Sequence, residues 1–107
     1  MSAWRREALN ELPEYPDIIE SAESPMALWI ELRLKFEDLY LAETLDDNLI
    51  RRFYQFARWC MDSPGAKGYL SDAGTAAAYA FFEHLPERRA VRRDLRRWLT
   101  RDDPRLA

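Results

Sequence analysis

Leu49, Phe53, Phe56, Ala57 and Cys60 follow one another at spacings of four, three, one and three residues. Such spacing draws one apolar stripe along an α-helix and does not fit the two-residue alternation of a strand. It recurs along the chain. Leu28, Trp29, Leu32, Phe36, Leu39 and Tyr40 make a second stripe; Ala77, Phe81 and Leu85, with Ala78 and Phe82 beside them, make a third; Val91, Leu95, Trp98 and Leu99 make a fourth. β-Branched residues are sparse and all three glycines fall between Gly65 and Gly74, so nothing supports a sheet. The expected fold is all-α, a compact bundle of about five helices with no sheet, and residues 1–107 are expected to form one domain.

Breakers and caps place the helices. A first segment over about 3–12 ends before Pro13, and a short second one covers about 16–23. Ser24-Pro25 offers a polar N-cap followed by proline in the first helical position, and opens a long helix over about 25–43. Thr44-Leu-Asp-Asp47 fits a capping box at the start of a helix reaching about residue 62. Ser71 is a candidate cap for a helix over about 72–84; Pro86 stops that helix and starts another, over about 86–99.

A hydrophobic content of 48% and aromatic content of 13% argue against disorder, although 33% of residues are charged. Cys60 is the sole cysteine, which excludes an intramolecular disulfide and suits a reducing compartment. The start, MSAWRREALNELPE, lacks the apolar run of a signal peptide, and the longest apolar stretch, 76–82, is too short to span a bilayer. A cytoplasmic location is expected.

The net charge of −3 conceals an asymmetry: residues 86–107 carry a balance of +4 and the remainder −7. Around Val91, Leu95, Trp98 and Leu99, the side chains of Arg88, Arg89, Arg92, Arg93, Arg96 and Arg97 fan over the rest of the last helix. An acidic body opposes a polyanion, and no zinc finger, RNP aromatic motif or helix-turn-helix accompanies the arginines. A solvated basic face, with Glu87 or Asp94 pairing nearby, explains them. Arg89, Arg93 and Arg97 remain candidates for contact with an anionic protein, and nucleic-acid binding through this helix is the alternative.

Groups that carry chemistry are scarce. His84 is the only histidine and has Phe81 three residues before it, so the Glu-x-x-His pattern of a bundle di-metal site is missing and no metal is expected. Its expected role is a core-edge residue bonded to a loop carbonyl; a small hydrolase using His84 and a carboxylate is the third reading. Cys60 sits on the apolar stripe and reads as a buried structural thiol. Gly65-Ala-Lys67-Gly68 resembles a phosphate-binding turn only superficially, since it lacks the G-x-x-x-x-G-K-[ST] spacing and a preceding strand. Aromatic stripes at helical spacing read as core, so no cofactor and no catalytic residue is expected.

Two features fit recognition. Trp59 lies beside its stripe, one helical repeat after Arg52, and both types are enriched at interface hot spots. The long helix is apolar on two sides, with Ile30, Leu34 and Leu41 opposite its main stripe. Cover from Trp4, Leu9, Leu12, Ile18 and Ile19 of the N-terminal segments is the favoured explanation, which makes a monomer; a homodimer through Ile30, Leu34 and Leu41 is the other.

FARWCMDSPG, residues 56–65, and FFEHLPERRAVRRDLRRWL, residues 81–99, resemble segments of an uncharacterised group of small all-helical bacterial proteins, some found near toxin-immunity loci. The resemblance rests on Phe56, Trp59, Cys60, Phe81, Phe82, Glu83, His84, Leu85, Pro86, Leu95 and Leu99. It implies a stand-alone bacterial domain, an immunity-like binder, with Glu83 and His84 as positions of interest. The expected function is a non-catalytic protein-interaction module of immunity-like or regulatory type, with a protein partner and no membrane contact.

Overall fold

A computed structural model describes residues 1–63 and 72–99. Among the described residues six α-helices follow in order: α1 (Ala3–Glu11), α2 (Pro16–Ser21), α3 (Pro25–Leu39), α4 (Asp47–Asp62), α5 (Ala73–Ala80) and α6 (Arg89–Asp94). Two 3-10 segments, Phe82–Glu87 and Leu95–Arg97, flank α6, and no strand is present among the described residues. The all-α bundle is therefore as the stripes imply.

Helix α3 starts as its sequence dictates. Ser24 Oγ accepts the amide of Ala27 at 3.1 Å and Pro25 occupies the first helical position. Leu28, Trp29, Leu32 and Phe36 are fully buried. Against them pack α5 and α4, whose buried residues include Leu49, Phe53, Phe56, Ala57 and Cys60 as well as Ile50 and Tyr54. Helix α5 wedges between the two because its contact side is small: Ala76, Ala77 and Ala80 are buried, and a Cβ on Gly74 would lie 3.1 Å from the carbonyl oxygen of Cys60. Helix α1 lies on α4, and α2 bridges α1 and α3.

Aromatic rings fill the centre. Phe36 meets Phe81 at 5.0 Å, Phe53 at 5.3 Å and Tyr54 at 5.6 Å, all edge to face. Trp29 stacks on Phe56 at 5.2 Å and tilts against Phe81 at 4.8 Å.

Several boundaries differ from the sequence expectation. Helix α3 ends at Leu39 rather than near 43, because Tyr40 and Leu41 turn their amides onto Glu37 and Asp38 three residues back. The cap of α4 is Asp46, whose Oδ1 accepts the Leu49 amide at 3.1 Å; Thr44 does not cap, and Asp47 is engaged elsewhere. Ser71 and the Gly65-Ala-Lys67-Gly68 turn lie outside the described residues, and Asp72 caps α5 by accepting the amides of Gly74 and Thr75. Pro86 does not open a long helix. It sits inside a 3-10 segment, and the expected helix over 86–99 is divided into α6 and the second 3-10 segment. Phe81, with φ −120° and ψ −68°, leaves helical geometry and starts the tighter winding, which continues through a proline that has no amide to donate.

Phe53 and Phe81 are fully enclosed. Replacing either by alanine is expected to destabilise the protein by about 3 to 5 kcal/mol, the cost of truncating a buried phenylalanine, measured by urea denaturation. A loss below about 1 kcal/mol contradicts the placement of the ring in this core.

Candidate interaction surfaces

Three arginines outside the C-terminal segment bind carbonyl oxygens at or near the ends of helical segments, where the helix leaves them without partners. Arg5 donates from Nε to Ile19 O at 3.2 Å and from its terminal nitrogen to Ala22 O, closing α2. Arg52 donates to Glu11 O, the last residue of α1, at 2.9 Å, and its guanidinium grips both carboxylate oxygens of Glu14. Arg58 donates to Trp98 O at 2.9 Å. Arg52 thus pins α4 to the link between α1 and α2, a structural duty. Trp59 is half-buried and stacks on Phe56 at 6.2 Å. The structure gives Arg52 and Trp59 different neighbours and does not join them into one anchor.

The C-terminal segment is fastened through Asp94. Tyr40 Oη donates to Asp94 Oδ2 at 2.6 Å, Trp98 Nε1 donates to the same oxygen at 3.0 Å, and Arg97 binds both carboxylate oxygens. Arg97 also makes a two-point contact with Asp47 of α4, at 2.8 and 3.0 Å, and lies over the Trp98 ring. Trp98 in turn stacks on Tyr54 at 5.8 Å. Burial alone raises the carboxyl of Asp94, but hydrogen bonds from Arg97, Tyr40 and Trp98 outweigh it and hold the group below its ordinary value. Tyr40 moves up, through burial first and its bond to Asp94 second.

Arg97 is therefore a clasp within the fold. Arg88 reaches Glu37 of α3 at 3.5 Å. Arg89, Arg92, Arg93 and Arg96 are exposed, and no ion pair among the described residues engages them. Their natural acids are occupied: Asp94 holds Arg97, and Glu87 holds His84.

His84 departs from its expected bond to a loop carbonyl. Its Nδ1 meets the Glu87 carboxylate at 2.6 Å, one 3-10 turn along, with 38% of the His84 side chain exposed. Glu83 is exposed beside it. No hydroxyl or thiol is hydrogen-bonded to His84 among the described residues. Cys60 is fully buried, and burial pushes its thiol up to about 12, with the Trp29 indole opposing this only in part. A thiol so placed is inert.

The second apolar side of α3 also departs from expectation. Ile30 and Leu34 are 46% and 44% exposed, and Leu41, in the turn after the helix, is 84% exposed. The N-terminal segments do not cover them, because their apolar residues are spent elsewhere: Ala8, Leu12 and Ile19 are buried in the core, with Trp4, Leu9 and Ile18 packed against its edge. What α2 adds is a groove of about 460 Å³ against α3, lined by Ile18, Ala22, Ala27 and Ile30 with Glu23 and Glu31 at its rim. This groove escaped sequence reasoning, since it depends on how two helices cross.

No family model, curated protein or solved structure matches the chain.

Asp94→Ala is expected to cost about 2 kcal/mol, because it leaves the Tyr40 hydroxyl and Trp98 N–H without their acceptor. The folded value of Asp94 lies below the unfolded one, so its stabilising contribution is complete above the unfolded value near pH 4 and disappears as pH falls through the folded value. Thermal melts from pH 7 to pH 2 are expected to show an acid-side fall that is shallower in Asp94→Asn. Identical slopes in the two proteins contradict the assignment.

Proposed function

We propose that this domain is a non-catalytic protein-interaction module, a binder of immunity-like or regulatory type, and that its contact surface is the outer side of α3. One observation carries the reading: Ile30 and Leu34 stand exposed on α3, the helix whose other side supplies Trp29 and Phe36 to the core, although apolar material nearby is committed to the core. The outward side of a surface helix is ordinarily polar; large apolar residues left there on a rigid element suit recognition. The adjoining groove and Leu41 extend the same surface.

A second reading has its own observation. Arg89, Arg92 and Arg93 of α6 and Arg96 of the 3-10 segment after it are exposed and free of ion pairs among the described residues, an arrangement that attracts phosphate. The acidic remainder of the chain opposes a long polyanion, so the interaction reading stands first. Titration with duplex DNA and RNA at physiological salt is expected to show no sub-micromolar binding. Tight, salt-sensitive binding that disappears in the Arg92→Glu/Arg96→Glu double variant reverses the order.

For the leading reading, Leu34→Glu places a charge on a free surface and is expected to alter stability by no more than about 0.5 kcal/mol. Thermal and urea melts at low protein concentration measure it. A loss of several kcal/mol shows that the side is internal and removes the surface from consideration.

A further inference from the structure

Independently of what α3 contacts, we infer that the arginine side of the C-terminal segment is a second contact surface, and that it takes a protein presenting a short cluster of carboxylates. Arg92, Arg93 and Arg96 follow Arg89 at three, four and seven residues, and all four are exposed. That spacing sets their guanidinium groups on one side of the segment, away from buried Val91 and Leu95.

Left alone, this stripe costs stability. Like charges three and four residues apart on a helix repel, and here Arg89 faces Arg92 and Arg93, as Arg96 does from the other end. Helix α6 has six residues and no side chain capping its start, so little local stability offsets the repulsion. Neighbouring arginines are treated differently by the fold: Arg88 reaches Glu37, Arg97 is held by Asp94 and Asp47, and Arg58 binds the Trp98 carbonyl. No ion pair among the described residues does the same for the four of the stripe. Carboxylates from a partner relieve the repulsion and match the planar guanidinium forks two oxygens at a time.

The surroundings select the kind of anion. Glu37 and Asp47, which hold Arg88 and Arg97 at the two ends of the stripe, adjoin exposed Asp38 and Asp46, and exposed Glu83 and Glu87 precede α6. The stripe, about 10 Å long from Arg89 to Arg96, is therefore bordered by acids. Duplex DNA, with one charge per roughly 1.7 Å of axis, stays negative far beyond that length and brings its excess charge onto the border. An anionic bilayer does likewise. A protein can place carboxylates over two helical turns and end its negative charge there. Small oxyanions are held by groups that converge, whereas these fan from the convex side of a helix.

Fluorescence anisotropy with a labelled, alanine-based helical peptide bearing glutamates at the spacing of the arginines tests this. Short duplex DNA, labelled likewise, and phosphatidylserine vesicles, followed by co-sedimentation, represent the other classes. At low salt the full chain is expected to bind the peptide, and more tightly than either. Arg92→Gln/Arg96→Gln is expected to weaken that binding by about tenfold, while Arg6→Gln, at an exposed arginine of α1, leaves it unaltered. The double variant is expected to melt at or slightly above the wild-type temperature, because it removes repulsion. Absence of peptide binding at low salt overturns the inference, as does binding that the double variant leaves intact or that Arg6→Gln weakens equally. Tighter binding to the duplex or the vesicles overturns it in favour of that class. A double variant that melts well below wild type assigns these arginines to the fold and overturns it too.

Discussion

The fold depends on the packing of Phe36 against Phe53, Tyr54 and Phe81. These rings come from α3, α4 and the end of α5, and Trp29 reinforces the same junction through Phe56 and Phe81. Because Phe36, Leu32 and Trp29 are drawn inward together, the helical repeat fixes where the rest of α3 points. Ile30 and Leu34 must then face away from the core. Their exposure follows from the burial of their neighbours.

Around that centre, the helices are fastened at their ends by charged groups. Arg5, Arg52 and Arg58 bind carbonyl oxygens at or near the ends of helical segments, and the Asp94–Arg97–Asp47 cluster closes the C-terminal segment onto α4. Surface ion pairs taken singly contribute little, but the contact at Asp94 also satisfies the half-buried Tyr40 hydroxyl and a tryptophan N–H. This separates two groups of arginines in the C-terminal segment. Arg97 is part of the fold, while Arg89, Arg92, Arg93 and Arg96 leave it unchanged in their outward position.

Features encoded by near neighbours were legible in the sequence. The stripes on α3 and α4 and the Ser24-Pro25 start needed only local spacing, and they stand in the structure where the spacing put them. The tail was less legible. Its 3-10 winding through Pro86 answers to the packing of Phe82, Leu85 and Val91, which local propensity does not report. Longer-range partners were hidden altogether: Arg97 finds Asp47 fifty residues away and Arg52 finds Glu14 at a separation of thirty-eight, so neither the clasp nor the structural duty of Arg52 was visible. The two apolar sides of α3 were visible, but which of them the N-terminal helices cover was not, because that depends on the angle at which α2 crosses. Ile18 reaches the groove beside Ile30 and stops there.

Central to the account is that α3 buries one side and presents the other. Reaction with a thiol reagent at low protein concentration measures this directly, since buried Cys60 supplies an inert background. Leu34→Cys is expected to label at the rate of a free thiol, while Cys60 and a Leu32→Cys variant stay unlabelled until the protein unfolds. Protection of Leu34→Cys in the dilute, folded monomer contradicts the account.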